Sequence, residues 1–274
     1  MKLGICSEVF NGWDWEETCE FVKKTGYDGI EVAPFTLAKS VDLISAARRT
    51  ELKSAAKQIG LEIIGLHWLL VSPEGLAITT GDETLREKTK NYFFELIRFC
   101  SDLNGKVMIV GSPKQRNVPA GMPYDKAIAS ARAFFMDCAK EAKMAGVTLC
   151  LEPLSTAETN IFSTAKETLD FVKELAHPNF KMMLDVKAMS SESKPIPSII
   201  EDCKGYFEHF HANDENKNGP GFGKTDFVPI EAALSSAGYN KYVSVEVFDF
   251  TPGAELIAEK SYKYLDSIFK KQPH

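Results

Sequence analysis

Glu152, Asp185, His211 and Glu246 are all residues of metal-binding type, and they stand 33, 26 and 35 residues apart. Each closes a short apolar run: VTLCLE, KMMLD, YFEHFH and YVSVE. If the runs are neighbouring strands of a parallel sheet, they lie ~4.8 Å apart, and inward side chains at their ends meet in one small volume. Three carboxylates and an imidazole do not share such a volume cheaply. Like charges repel, and a buried, unpaired carboxylate takes up a proton. One divalent cation removes the conflict. Mixed oxygen and nitrogen ligands suit Mn²⁺, Mg²⁺, Co²⁺ or Zn²⁺, and the lack of Cys at these positions speaks against a structural zinc site. Taken singly, a strand-end Glu is ordinarily a salt-bridge partner or a solvated residue. Taken together, one per strand end, the four point to a metal site. His209 shares a face with His211 one layer deeper and reads as a core histidine.

The elements that must position these residues follow from hydrophobic periodicity. Strand-like runs are expected at 3–6, 30–33, 61–67, 107–110, 147–152, 181–185, 206–211 and 242–247. Helical spacing fills 15–24, 40–59, 82–103, 124–145, 163–175, 197–203, 229–237 and 255–270. Gly60 and Gly146 read as helix stops and Ser163 as a helix N-cap. Strand and helix therefore alternate eight times, with about 34 residues per unit, as in a (β/α)8 barrel. The apolar strands suit a parallel sheet buried on both faces. A doubly wound sheet also alternates, but eight units with no spare segment favour closure. The expectation is an α/β protein, a single (β/α)8 TIM barrel formed by one domain over residues 1–274. Chemistry in such barrels sits where strands end, which is where the four ligand-type residues fall.

Composition narrows the partners. The chain has 274 residues, with 32 Lys and Arg against 38 Asp and Glu, for a net charge of −6. No basic excess speaks for nucleic acid. No apolar stretch approaches the ~20 residues that span a bilayer, and Glu8 comes too soon for a signal peptide. Cys6, Cys19, Cys100, Cys138, Cys150 and Cys203 form no C-x-x-C pair. They read as reduced core thiols, which places the protein in the cytoplasm.

The stretches LEPLSTAE from Leu151, MLD from Met183, HFHANDENKNGPGFGKTDF from His209 and VSVEVFD from Val243 resemble the xylose-isomerase-like TIM-barrel superfamily. The resemblance covers essentially the whole chain. It implies that Glu152, Asp185, His211 and Glu246 bind one divalent metal, commonly Mn²⁺. In the ketose 3-epimerase branch the two glutamates also exchange protons with the substrate, so Glu152 and Glu246 are the implied catalytic pair. The chemistry agrees: epimerising a hydroxy-ketone requires a proton to leave the carbon beside the carbonyl and return on the other face. The implied activity is a metal-dependent isomerase or epimerase of a sugar or sugar phosphate. A dehydratase of the inosose or dehydroshikimate type on the same barrel is a second reading, and a non-catalytic carbohydrate-binding barrel is a third.

Further residues qualify for substrate binding. The resemblance places His67, with Trp68, and Glu158 beside the substrate. Lys217 stands where ketose 3-epimerases carry an Arg. Lys114 and Arg116, in the loop after strand 4, have the chemistry to bind a phosphate or carboxylate. Asn213 and Asp214 are expected to orient the ligand His, and Gly221 and Gly223 to let their loop approach the substrate. Trp13, Trp15, Phe35 and Trp68 can line a pocket or a homo-oligomer interface. The sequence departs from the ketose 3-epimerase pattern at Ala188, where that branch has a His. The endonuclease IV branch needs the same His, an Asp-x-His after strand 7 and a further His at Gly111. A three-zinc centre and a DNA-repair role are therefore excluded, and the acidic net charge agrees.

Overall fold

A computed structural model describes residues 1–270. The last four residues of the expected 1–274 barrel, including His274, lie outside the described residues. Eight parallel strands close in sequence order: β1 (Lys2–Cys6), β2 (Gly29–Val32), β3 (Glu62–Leu66), β4 (Val107–Val110), β5 (Thr148–Leu151), β6 (Phe180–Asp185), β7 (Phe207–Ala212) and β8 (Tyr242–Val245). β8 pairs with β1, Ile5 opposite Val245, which completes the barrel. Nearly every strand position is buried, as expected of strands covered by helices outside and packed side chains inside.

Helices α1 (Trp15–Thr25), α2 (Ala46–Gln58), α3 (Glu83–Asp102), α4 (Pro113–Arg116), α5 (Tyr124–Ala145), α6 (Ala165–Leu175), α7 (Val186–Ser190), α8 (Ile196–Asp202), α9 (Val228–Ser236) and α10 (Ala254–Phe269) connect and cover the strands. Their ends follow local chemistry. Asp14 caps α1 by accepting from Glu16 N at 2.9 Å, and Asp82 caps α3 by accepting from Leu85 N at 3.1 Å. Gly146 ends α5 in the left-handed region at φ 69°, where a side chain would cost energy. Thr164, not Ser163, caps α6, because its Oγ1 accepts from Glu167 N at 3.1 Å. The expected helix over 40–59 begins only at Ala46, after a short 3-10 turn at Val41–Leu43. α4 and α7 are additional single turns that break the strict alternation. Both sit at the carboxyl ends of strands, and both serve the site.

Strand alternation sets which side chains face inward. Ile109 and Gly111 share one face of β4, Cys150 and Glu152 one face of β5, and Met183 and Asp185 one face of β6. Ile64, Val107, Ile109, Cys150 and Met183, with Tyr242 against them, form a cluster separate from the main apolar core. The four ligand-type residues continue these inward rows toward the carboxyl end. All six cysteines are buried and free. Trp15 is core and donates its Nε1 to Leu52 O at 2.9 Å, while Trp13 packs edge-on against Phe10 and Phe21. No helix among the described residues is long and apolar enough to cross a membrane.

Candidate metal and active site

Glu152, Asp185, His211 and Glu246 converge as their spacing predicts, and one ligand atom from each lies within 4.8 Å of the others. Asp185 and His211 are fully buried, and the two glutamates are only 6% and 4% exposed. Burial, then the charges of Glu246 and Asp185, push Glu152 up to about 8. Burial and Glu246 push Asp185 up to about 6. For Glu246 burial also acts upward, but His211 and His67 beside it prevail and hold it well below the usual carboxylate range. Burial and neighbouring carboxylate charge thus drive two of the three acids toward protonation, and a divalent cation relieves both. The donor set, three carboxylates and one imidazole, fits such an ion.

The surrounding contacts fix each group. Asp185 spans two roles: its Oδ1 caps α7 by accepting from Ala188 N at 2.7 Å, and its Oδ2 accepts from Asn213 Nδ2. Asn213 in turn accepts from Lys187 N at 2.7 Å. Asn213 therefore orients Asp185, not the His expected from its place in the sequence. His211 is oriented from β2: its Nε2 lies 3.1 Å from Glu31 Oε1, and its Nδ1 lies 3.1 Å from Glu246 Oε2. A donor bond to Glu31 would leave Nδ1 as the nitrogen able to face a metal. Glu31 also meets His209 Nε2 at 2.7 Å, so His209 is the satisfied core histidine its position suggests. Burial acts against ionisation of Glu31, but His209 and His211 hold it well below the usual range. On the other side, His67 Nε2 lies 2.8 Å from Glu8 Oε2 and its Nδ1 3.4 Å from Glu246 Oε1. Burial opposes a charge on His67, yet Glu8 and Glu246 raise it well above the ordinary value. Acids and imidazoles thus alternate through the barrel in the order Glu8, His67, Glu246, His211, Glu31, His209.

A cavity of about 360 Å³ adjoins the cluster. Of the expected site residues, His67, Trp68, Lys114, Glu152, Glu158 and Glu246 line it. Gly111 lines it too, and a Cβ there would fall 2.4 Å from Glu152 Oε2, so the glycine makes room for that carboxylate. Apolar walls come from Val71, Pro113, Leu154 and Phe248. Glu158 is held in place: Lys187 Nζ reaches its Oε1 at 2.6 Å, and Ser155 Oγ its Oε2 at 2.7 Å. Lys187 also sits 4.2 Å from the centre of the Phe248 ring.

Arg116 does not take part in the expected way, and Lys217 is not among the residues that line the cavity. Arg116 is fully buried and points its guanidinium at backbone carbonyls, donating to Glu152 O at 2.6 Å, Val110 O at 3.3 Å and Phe162 O at 3.4 Å. Burial pulls it down to about 10. It braces the backbone that carries Glu152. Lys217 is exposed, and its carbonyl accepts from Phe248 N at 2.8 Å and Asp249 N at 3.0 Å. It joins the β7 and β8 loops through its backbone. Gly223 approaches Asp214, not the cavity: a Cβ would fall 2.2 Å from Asp214 Oδ1, and Gly223 N donates to Oδ2 at 2.9 Å.

Glu8, Glu31, Asn213's partner Lys187 and the buried role of Arg116 were not legible as site features. For Glu31 the available signal was a charge set in the apolar run GIEVA, which demands a buried partner.

Comparison with known proteins gives a consistent picture. The family described as "Xylose isomerase-like TIM barrel" matches residues 19–268. A D-psicose 3-epimerase of Ruminiclostridium cellulolyticum is 29% identical over 243 residues, 86% of this chain and 78% of that protein. An L-ribulose 3-epimerase of Mesorhizobium japonicum is 26% identical over 269 residues, 95% of this chain and 86% of that protein. The crystal structure of D-psicose 3-epimerase with D-tagatose from Clostridium cellulolyticum superposes with a TM-score of 0.86 and 25% identity, covering 98% of this chain and 99% of that one.

Proposed function

This chain belongs to the xylose isomerase-like TIM-barrel family, and from that premise we propose that it is a divalent-metal-dependent ketose epimerase. The observation that carries the reading is the pairing of Glu152 with Glu246. Both line one cavity, and with Asp185 and His211 each offers a ligand atom within 4.8 Å of the others. Two carboxylates from β5 and β8 at one cavity can serve the two faces of a carbon held between them. The epimerase relatives support the same activity.

Glu152, Asp185, His211 and Glu246 would hold the ion; the donor set suits several divalent metals, and the family resemblance favours Mn²⁺ among them. When bound, it supplies positive charge beside the substrate oxygens that gain electron density. Glu246 takes the proton from the carbon beside the carbonyl, and Glu152 delivers one to the opposite face; the other epimer runs the same steps in reverse. Glu158 contacts substrate hydroxyls and is kept ionised by Lys187 and Ser155. The apolar walls exclude water from the reacting carbon. The substrate is an unphosphorylated ketose: of Lys114, Arg116 and Lys217, only Lys114 lines the cavity. The enzyme is assigned to the cytoplasm, in keeping with six free, buried cysteines.

The test is solvent-deuterium incorporation by NMR, with Mg²⁺-loaded protein and a panel of ketoses and ketose phosphates in D₂O. Deuterium beside the carbonyl of a free ketose, lost in Glu152→Gln and Glu246→Gln, is the expected result. Loss of water from the product would establish the dehydratase reading instead. Protein that holds metal but exchanges no proton on any compound would favour a carbohydrate-binding barrel without turnover.

A further inference from the structure

Glu246 is gripped on the side away from His211 by two consecutive residues at the end of β3. Its Oε1 accepts from Trp68 Nε1 at 3.1 Å and lies 3.4 Å from His67 Nδ1. The other nitrogen of that imidazole faces Glu8 Oε2 at 2.8 Å. Glu8 belongs to the 3-10 turn Ser7–Phe10 that follows β1. Glu8 and His67 are 3% and 1% exposed. Glu8 contributes no ligand to the set of Glu152, Asp185, His211 and Glu246, so the metal site as proposed does not account for it.

The backbone bears the mark of this arrangement. Trp68 has φ 53°, in the left-handed region that bulky side chains rarely adopt. Such strain persists where the surroundings over-determine it, and it collects at functional sites. Here it lets two successive side chains reach one carboxylate oxygen, which an extended strand, with its alternating directions, does not permit.

We propose that Glu8, His67 and Trp68 form a clamp that fixes the carboxylate plane of Glu246, with Glu8 acting as a positioning residue through His67. The clamp rests on the epimerase reading above. Held this way, Oε2 stays on the His211 side, and Oε1 stays with the two residues that line the substrate cavity. Inversion needs both glutamates correctly placed on opposite faces of the carbon. Exchange of a proton on one face needs only the glutamate on that face. Freeing Glu246 therefore damages inversion more than it damages exchange at Glu152.

The experiment compares both epimers of a turned-over ketose pair in D₂O, reading deuterium uptake with retention against inversion. In Glu8→Gln and Trp68→Phe, the rate of inversion should fall about 10- to 100-fold, as when other outer-shell supports are removed; in Glu8→Gln, whose side chain does not line the cavity, KM should stay unchanged. Exchange should persist from the epimer whose proton faces Glu152, so the ratio of exchange to inversion rises about tenfold or more. Glu8→Asp, which keeps the charge, should recover part of the inversion rate. Mn²⁺ content, measured by electron paramagnetic resonance, should stay at the wild-type level. If exchange and inversion fall together, or if neither changes, the clamp is refuted. Should Glu8→Gln fail to fold, Trp68→Phe and Glu8→Asp read the same ratio. A wild-type protein that binds metal but exchanges no proton from either epimer overturns the epimerase reading and the clamp with it; normal inversion with an unaltered ratio in the variants overturns the clamp alone.

Discussion

Gly111→Ala isolates the link between packing and metal affinity. Gly111 follows β4 on its inner face, and an added Cβ would fall 2.4 Å from Glu152 Oε2 and 3.5 Å from Glu152 Cδ, with no other atom within 4 Å among the described residues beyond its two chain neighbours. Ordinary contact between such atoms is ~3.5 Å, so the carboxylate oxygen must withdraw by about 1 Å. Metal–ligand distances tolerate only ~0.2 Å. Glu152 then leaves the ion, or the ion leaves the centre of the other three ligands. We expect affinity for Mn²⁺ to fall about 10- to 100-fold, or ~1.4–2.8 kcal/mol. The fold should not suffer equally, since the only atoms displaced belong to one side-chain end. A Gly→Ala change at a tolerant backbone position gains about 0.4–1 kcal/mol from the unfolded chain, so the chelator-treated variant should be as stable as wild type, or slightly more so. Isothermal titration with Mn²⁺ gives the first quantity, and urea unfolding in EDTA gives the second. An affinity within twofold of wild type would refute the reasoning. So would a large loss of stability in the ion-free variant, because it would mean the new methyl meets more than Glu152.

Four other outcomes follow. Metal affinity should rise with pH through about 8, because the ion displaces a proton from Glu152, and calorimetry in buffers of different ionisation enthalpy should register that proton; affinity independent of pH would contradict it. The same shift sets a stability trend for the ion-free protein. Glu152 is raised from 4.5 in the folded state, so its contribution is fully present below about pH 4.5 and is lost as pH climbs through about 8; unfolding at pH 5 and 8.5 in EDTA tests the sign. Arg116→Met should cost roughly 3 kcal/mol by stranding the carbonyls of Glu152, Val110 and Phe162, and it should weaken Mn²⁺ binding; unchanged urea unfolding would show that these bonds are dispensable. Lys187→Met should raise KM severalfold with little effect on melting temperature, because its partner Glu158 lines the cavity and the pair is only partly buried; a KM equal to wild type would remove Glu158 from substrate contact.

The barrel and its four converging ligand-type residues were legible because both repeat. One βα unit separates each ligand from the next, and each stands at the end of an apolar run, so periodicity alone locates Glu152, Asp185, His211 and Glu246. What supports them was not, because it comes from distant parts of the chain with no spacing in common. Glu31 reaches His211 across 180 residues, and Glu8 reaches Glu246 only through His67. Arg116 was misread for a different reason. A basic residue in a loop ordinarily seeks solvent or an anion, and only the fold reveals a ring of carbonyls to receive it. The single turns α4 and α7 were also missed. Both are too short for periodicity to detect, and α7 exists because Asp185, already required by the site, caps it.

The alternating series from Glu8 to His209 also bears on how this active site can change over evolutionary time. Each acid in it is tolerable only beside its imidazole, and each imidazole only beside its acid. Removing one member strands a neighbour, whereas replacing a whole buried pair with apolar side chains can be nearly neutral. A library that randomises any one of these positions should therefore register as intolerant, and the effects of neighbouring substitutions should be far from additive. Paired libraries, such as Glu31 with His209, open routes that single steps close. The interior of this barrel is best treated as a sentence whose words must be exchanged in twos.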